Sequence, residues 1–538
     1  MKYISFLILS FSVGLINLQA QTETLVLVKD VFDNNVTYAS PNGITAFGNK
    51  VLFIGDDGIH GREPWVSDGT EAGTFMLKDI YSGPSQSMPS APAETNDYYN
   101  KYFTPLNGEM LFPAFSDIFG MELWATDGTQ AGTHIVKDIA PGTLNSSPYN
   151  KLLYNNRLYF NASAGANGVH IMWVTDGTEA GTQQFANINI RHHISAVLDG
   201  KLYFNADSAG YGAELWVTDG TMEGTRIMED IAPGTFPSNP TDITAFGNKL
   251  IFSGDSSVTG NEPFVSDGTE EGTHLLKDIV PGMTGFGSGE SSYPRYFFNF
   301  QDRVYFSAKD TGTAGIELWV SDGTADGTYQ FPELNPGPED GNPKDFTEFD
   351  SRLWFRSGYS DYKLWVSDGT EAGTSIFLDE GAWNLTVFNN KLYFIANGGV
   401  GVTDGTVAGT YIIAGNISTT PPAVLSIIAS ETRIFVVAKL NEATGFELYV
   451  IENSTGITNN DENQFNIYPN PAADRIYLNE IKTTGKDLLL IVKDITGRTV
   501  ISEIIPAGKE SVSIDISQLD SGTYIITNGN ISRKFVKN

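Results

Sequence analysis

The sequence predicts an all-β chain: a closed β-propeller of about nine four-stranded blades, with eight as the alternative, followed by a small C-terminal β-sandwich. Three observations predict it. One motif recurs about every 48 residues through most of the chain. Short runs rich in Val, Ile, Phe and Tyr alternate with Gly- and Asn-containing turns, and no apolar stripe of helical period is present. A polar stretch, 453–464, then separates the array from a last segment with its own strand pattern.

The motif stands at Glu63–Thr74 (EPWVSDGTEAGT), Glu122–Thr133, Ile171–Thr182, Glu214–Thr225, Glu262–Thr273, Glu317–Thr328 and Lys363–Thr374. It is decayed at Gly399–Thr410 and at Glu447–Glu452 (ELYVIE). Its aspartate falls at Asp68, Asp127, Asp176, Asp219, Asp267, Asp322, Asp368 and Asp404, with Glu452 in the ninth slot.

Each unit carries four strand signals: a first like Ile44–Phe47, a second like Leu202–Ala206, the ELWV strand, and a fourth like Phe75–Ile80 or His134–Ile139. The array begins on an orphan fourth strand, Leu25–Val31, and ends on a third strand with no fourth, Glu447–Glu452. Together they complete one blade if the array closes into a ring, and closure removes exposed sheet edges.

The repeat residues each have two readings. The aromatics Trp65, Trp124, Trp173, Trp216, Phe264, Trp319, Trp365 and Tyr449, a series that Gly401 interrupts, form either a sugar platform or wedges between blades. Recurrence in nearly every unit favours wedges, because ligand sites are few per protein. The DGT aspartates either bind calcium or make Asx-turns. One carboxylate per turn falls short of the roughly 6–8 oxygens calcium takes, so an Asx-turn is expected, with Gly69 and Gly73 at positive φ and Thr70 and Thr74 bonding across the hairpin. The turn resembles the Asp-box hairpin of sialidase propellers at a different spacing, so no catalytic role carries over. Glu63, Glu122, Glu214, Glu262, Glu317 and Glu447 fill the motif's first slot and are expected to bond to a neighbouring blade's backbone.

Composition excludes several functions. The chain carries 33 Lys and Arg against 64 Asp and Glu, a net charge of −31, which opposes binding to nucleic acid or anionic membrane surfaces. With no Cys there are no disulfides, thiol nucleophiles or Cys-ligated metals. No HExxH, GxSxG, Walker loop or dinucleotide fingerprint is present, so no cofactor, metal or catalytic residue is assigned. His192-His193 reads as an exposed loop pair.

Alternating strands put connections on two faces. One holds uniform tight turns such as Gly48-Asn49 and Asp68–Gly73. The other holds long, varied loops such as Ser82–Asp97, Val280–Arg295 and Glu333–Asp345. Varied loops tolerate change and are where binding is set. Their aromatics Tyr98, Tyr99, Phe286, Tyr293 and Tyr296 are the candidate ligand-face residues, either stacking on a glycan or surface polymer or pinning the loops.

Residues 1–20 have the basic start, short apolar run and small closing residue of a signal peptide cut between Ala20 and Gln21, and no membrane span is expected in the mature chain 21–538. The array, within 21–452, resembles the ELWxxDGT-type repeats of bacterial exported proteins, a repeat class that implies no defined activity. Segment 465–538 carries YPNP (Tyr468–Pro471), DITGR (Asp494–Arg498), LDSGTYII (Leu519–Ile526) and a basic, aromatic end. It resembles the type A C-terminal sorting domain of the type IX secretion system. The resemblance implies a Bacteroidetes-type host, engagement of that machinery, and release or attachment at the cell surface. The leading functional reading is a secreted or surface-attached binding or adhesion scaffold. The alternatives are a polysaccharide-acting hydrolase or lyase and a structural surface-layer protein.

Overall fold

The computed structural model describes residues 23–30, 41–88, 102–165, 168–284, 289–311, 315–331, 334, 340–358, 362–396, 398–413, 424–440, 445–453, 466–468, 472–479, 488–494, 499–506, 509, 511–527 and 532–537. The expected signal segment with its Ala20–Gln21 junction, linker residues 454–464, and Tyr98, Tyr99 and Phe286 lie outside these residues. The described secondary structure is all β, with no helix among the described residues. The chain divides into two compact units, Leu25–Ile451 and Glu452–Asn538.

The first unit is a succession of antiparallel sheets whose strands pair in chain order. Sheet 1 is Asn42–Phe47, Lys50–Asp56, Arg62–Ser67 and Phe75–Met76. Sheet 2 is Thr104–Leu106, Glu109–Ser116, Gly120–Thr126 and His134–Lys137. Sheet 3 is Tyr149–Tyr154, Arg157–Ala162, Ile171–Thr175 and Gln183–Ala186. Sheet 4 is Asn189–Leu198, Lys201–Ser208, Tyr211–Thr218 and Arg226–Glu229. Sheet 5 is Thr241–Phe246, Lys249–Ser256, Gly260–Ser266 and His274–Leu275. Sheet 6 is Arg295–Phe300, Arg303–Lys309, Ile316–Ser321 and Tyr329–Gln330.

Sheet 7 begins with Lys344–Phe349, Arg352–Ser357 and Lys363–Ser367, sheet 8 ends with Lys391–Ala396, Gly399–Thr403 and Tyr411–Ile413, and the two share one long strand, Ser375–Phe388. Its first half pairs with Lys363–Ser367 of sheet 7 and its second with Lys391–Ala396 of sheet 8. With no crossover between the two sheets, the step from Asp368 to Asp404 is the shortest in the array. Sheet 9 is Val424–Ala429, Ile434–Ala438 and Glu447–Asn453, and its outer neighbour is the chain's first strand, Glu23–Lys29.

The second and third strands are buried on both faces because neighbouring sheets cover them. Opposite residues there make aromatic pairs: Phe53 with Trp65, Phe112 with Trp124, Phe204 with Trp216 and Phe306 with Trp319. In sheet 8 Phe394 lies opposite Gly401, and its ring fills the missing aromatic's place, since a Cβ on Gly401 would fall 2.2 Å from it.

Each hydrophobic cluster of the array spans consecutive sheets. Ile54 and Val66 of sheet 1 pack with Phe112 and Trp124 of sheet 2. Val400 of sheet 8 packs with Val436 and Tyr449 of sheet 9. Phe53 and Trp65 of sheet 1 also pack with Phe435 and Val450 of sheet 9 and with Val28 of the first strand.

Several expectations need correction. The fourth strands are shorter than the sequence suggests, ending at Met76 and Lys137. The Leu77 N–H goes to the Pro64 carbonyl, and the Glu63 carboxylate takes the Ile80 N–H, so the ladder ends early. The orphan strand runs from Glu23 to Lys29. His192 and His193 are in the first strand of sheet 4, within a bulge between Ile190 and Ser195, rather than in a loop. A bulge adds a residue without ending pairing, which is why alternation did not reveal the strand.

The second unit has two sheets. One contains Asn466–Tyr468, Arg475–Asn479 and Ser511–Asp515; the other contains Thr499–Ile505, Leu488–Asp494, Gly522–Thr527 and Ser532–Lys537. Ile476, Leu478, Val492, Ile514, Ile526 and Phe535 share one core.

Candidate ligand-binding face

The turn face is uniform. Asp68 Oδ1 accepts the Thr70 N–H at 2.9 Å and the Thr70 hydroxyl at 2.7 Å, and the Gly73 N–H donates to Thr70 Oγ1 at 3.0 Å. The same set recurs from Asp127 to Asp404. At Asp127 the Thr129 hydroxyl holds the carboxyl below its ordinary value. One of the two glycines acts as expected and the other does not. Gly69 has φ +85°, whereas Gly73 is outside the left-handed region. Gly73 is needed because a Cβ there would fall 2.1 Å from Asp68 Oδ1. The Thr70 and Thr74 hydroxyls do not join each other. Thr74 donates to the Thr70 carbonyl and lies 2.7 Å from Ser67 Oγ across the hairpin. Among the described residues no group of three or more His, Cys, Asp and Glu is placed to hold a metal ion.

The first-slot glutamates anchor the other face. Glu63, Glu122, Glu214, Glu262 and Glu317 are fully buried, and their bonds go to the crossover that leaves their own sheet. The expected partner, a neighbouring blade's backbone, is corrected to the backbone and serine of this crossover. Glu63 accepts from the N–H groups of Ile80 and Ser87 and from the Ser87 hydroxyl. Glu122 accepts from Ile139, Ala140 and the Ser146 hydroxyl. Burial raises Glu63, Glu122 and Glu262 to about 7 against these bonds. The serines belong to a second repeated signal, Ser-x-Pro, that motif reading missed: Ser87-Met88-Pro89, Ser146-Ser147-Pro148, Ser238-Asn239-Pro240 and Ser292-Tyr293-Pro294, with Gly341-Asn342-Pro343 as a variant.

Four of these crossovers, those with Ser147, Asn239, Tyr293 and Asn342 in the triplet, have two left-handed backbone positions. The middle of the triplet is Ser147 (φ +48°), Asn239 (+43°), Tyr293 (+49°) or Asn342 (+46°). Three residues on stand Asn150 (+50°), Asp242 (+53°), Tyr296 (+61°) and Asp345 (+57°). Asn, Asp and Ser tolerate this conformation, whereas a bulky side chain there is strained. Only the crossover into sheet 6, among those named, places tyrosine at both positions. Tyr293 is 57% exposed. Tyr296 is half-buried, packs against the core shared by sheets 6 and 7, and donates its N–H to Asp242 Oδ1 at 3.1 Å. Burial pushes its phenol up.

Two further groups on this face gave no sequence signal. In the sheet 1 hairpin, His60 Nδ1 lies 2.8 Å from Asp57 Oδ2, a pairing that raises the imidazole. Between sheets 3 and 4, the Tyr149 ring meets His170 edge-on at 5.2 Å, and its hydroxyl donates to Asn189 Oδ1 at 3.3 Å. Asn189 sits opposite Asp207, whose Oδ2 pairs with Arg191 Nη2 at 2.7 Å. Asn150 Nδ2 donates to the carbonyls of Ile190 and Arg191, holding the two strand starts together. These residues are far apart in sequence and share no motif, so only tertiary structure assembles them.

Residues 466–538 match a family described as a secretion system C-terminal sorting domain. The sorting domain belongs to type IX secretion and engages that machinery, so the chain is secreted or attached to the outer cell surface. No curated protein matches the chain. Among solved structures it is similar to a puromycin hydrolase (13% identity, TM-score 0.35, covering 78% of this chain and 61% of that one). It is also similar to a Mycobacterium tuberculosis puromycin-hydrolyzing peptidase (12% identity, TM-score 0.38, 77% and 61%). A structure from a study of two prolyl endopeptidases is similar too (9% identity, TM-score 0.35, 83% and 55%). The chain thus covers at most 61% of the length of these three proteins. No helix among the described residues is long and apolar enough to cross a membrane.

Proposed function

We propose that the chain is a secreted or cell-surface β-propeller of nine four-stranded blades, built from ELWxxDGT-type repeats, that serves as a binding or adhesion scaffold for a glycan or surface polymer. The pairing of Glu23–Lys29 with Glu447–Asn453 and the cluster shared by sheets 9 and 1 support closure of the ring. The ligand contacts the varied-loop face.

The observation that carries this reading is Tyr293. An exposed tyrosine is kept at a left-handed position where equivalent crossovers have Asn or Ser. Strain retained at an exposed aromatic points to a use for the ring. The test is Tyr293→Asn, read by calorimetric titration with laminarin, xylan, mannan and polygalacturonate alongside thermal unfolding. Expected are a bound polysaccharide in the parent, at least about ten-fold weaker binding in the variant, and a thermal midpoint equal or higher. No binding in the parent, or equal binding in the variant, sinks the reading.

The hydrolase alternative is favoured by one feature, the His60–Asp57 pair. Release of reducing ends from any of these polysaccharides, lost in His60→Ala, would replace the scaffold reading with it.

A further inference from the structure

We propose a second binding site on the varied-loop face, between sheets 3 and 4, for a neutral hexose-based glycan, with Tyr149 as its platform and His170, Arg191 and Asp207 as its polar contacts. It rests on the scaffold reading for its ligand class but uses none of the residues that carry that reading.

Tyr149 is 38% exposed although Asn189 and His170 fix its position. Its hydroxyl is tied to Asn189, Asn161 Nδ2 donates to the same Asn189 Oδ1 at 2.7 Å, and His170 packs on its edge. An immobilised, partly exposed ring loses little entropy on binding and offers a flat apolar surface for the C–H face of a sugar. A second exposed pair of rings belongs to sheet 4. Tyr211 is 46% exposed at the tip of the hairpin that carries Asp207, and Phe236, 71% exposed, lies on the crossover against Gly212.

The polar groups suit hydroxyls. His170 Nδ1 donates to the Gly168 carbonyl at 3.0 Å, which leaves Nε2 as an acceptor. Nε2 is buried and has no donor among the described residues, and the same is true of Asp207 Oδ1. Both atoms are closed to solvent in this conformation, so a sugar hydroxyl reaches them only when the His170 and Asp207 side chains turn outward, which gains each a missing donor. Arg191, half exposed, supplies guanidinium donors beside Asp207. A hydroxyl both donates and accepts, so vicinal hydroxyls match a set that mixes arginine donors with histidine and aspartate acceptors. The charge balance selects a neutral sugar. Arg191 is already neutralised by Asp207, and the chain's net charge of −31 repels polyanions.

The experiment is calorimetric titration of the full chain and its variants with laminarihexaose, cellohexaose, mannohexaose and oligogalacturonate. Expected is binding of a neutral hexaose, weakened at least about ten-fold by Tyr149→Ala and by Arg191→Ala but by less than about three-fold in Tyr149→Phe, which keeps the ring. Unchanged thermal midpoints in Tyr149→Phe and Arg191→Ala keep the result interpretable if Tyr149→Ala unfolds. Parental affinity in Tyr149→Ala and Arg191→Ala, with binding lost only in Tyr293→Asn, overturns this site and leaves the scaffold reading standing. Preference for oligogalacturonate overturns the neutral-sugar assignment. Failure of the parent to bind any of the four overturns the site together with the scaffold reading.

Discussion

Lys29 and Thr74 join the first strand of the chain to the first DGT turn: Lys29 Nζ donates to the Thr74 carbonyl at 3.0 Å. The bond recurs along the array, from Lys78 to Thr133 at 3.1 Å, from Lys137 to Thr182 at 2.8 Å and from Lys277 to Thr328 at 2.6 Å. Each time a lysine following one outer strand or lying in it reaches the carbonyl that ends the next sheet's turn. Lys29 does for sheets 9 and 1 what Lys78 does for sheets 1 and 2, so Glu23–Lys29 acts as the fourth strand of sheet 9.

If that strand closes a ring, removing it costs far more than removing its staple. Lys29→Ala should destabilise by about 0.5–1.5 kcal/mol, the net worth of an ordinary hydrogen bond, because solvent screens the half-exposed ammonium. Deleting residues 23–30 strips Val28 from its cluster and bares the Glu447–Asn453 edge, which invites aggregation. Thermal unfolding and size-exclusion chromatography check both. A deletion variant as stable and monodisperse as the parent would show that the strand closes nothing.

The staple series has a gap at sheet 4. Glu229 holds the lysine position, and burial followed by Glu270, Asp230 and Glu271 pushes its carboxyl up. Glu229→Lys should donate to the Thr273 carbonyl, relieve the repulsion and stabilise by about 0.5–1 kcal/mol. Glu229→Gln, which only relieves repulsion, should fall between lysine and the parent in a denaturant titration. If lysine is no better than glutamine, the staple contributes nothing.

Gly73 and Asp68 form a steric pair, and a double-mutant cycle measures it. Gly73→Ala alone should cost about 1–3 kcal/mol, because its methyl evicts the Asp68 carboxylate from Thr70. In an Asp68→Ala background the same methyl should cost much less. Additive effects would mean that the glycine serves some other purpose.

The sorting tail gives a cellular prediction. Deleting residues 465–538 should leave the chain in the periplasm of its host, because the segment that engages the type IX machinery is gone. Fractionation with an antibody against the array checks this, and undiminished surface or medium levels in the truncated strain would refute it.

Much of the fold was legible because repetition multiplies weak signals. The ELWV strand, the DGT turn and the orphan first strand each recur or are conspicuous by phase. Gly73 looked like a φ residue because glycine's two uses, conformational freedom and absence of a side chain, read the same in sequence. The Ser-x-Pro anchor of the buried glutamates was visible but sits at varying distances from the motif, Glu63 to Ser87 against Glu262 to Ser292. The Tyr149 group was invisible because Tyr149, His170, Asn189, Arg191 and Asp207 occupy different strands and loops of two sheets, and no periodicity connects them.

The buried glutamates predict an acid-shifted stability optimum. Glu63, Glu122 and Glu262 rise from 4.5 to about 7, with burial as the leading cause, and Glu214 rises for the same reason. A raised carboxyl binds its proton more tightly in the folded state, so its contribution is complete below pH 4.5 and is lost as pH climbs through about 7. The turn aspartates act oppositely. Asp127, lowered chiefly by the Thr129 hydroxyl, contributes above pH 3.8 and is lost below it. The thermal midpoint should therefore peak near pH 5 and decline toward pH 8. The net charge of −31 also opposes compactness as pH rises, so the slope of the parent alone does not identify the glutamates. Glu122→Gln isolates one of them. At pH 5 the amide matches the protonated carboxyl in charge but has one acceptor oxygen where Ile139 and Ala140 each need one, so the variant should start below the parent. At pH 8 the parent has surrendered about 1–3 kcal/mol at this site and the amide has not. The variant's midpoint should thus gain on the parent's steadily between pH 5 and 8, and parallel curves over that range would show that Glu122 stays ionised in the fold.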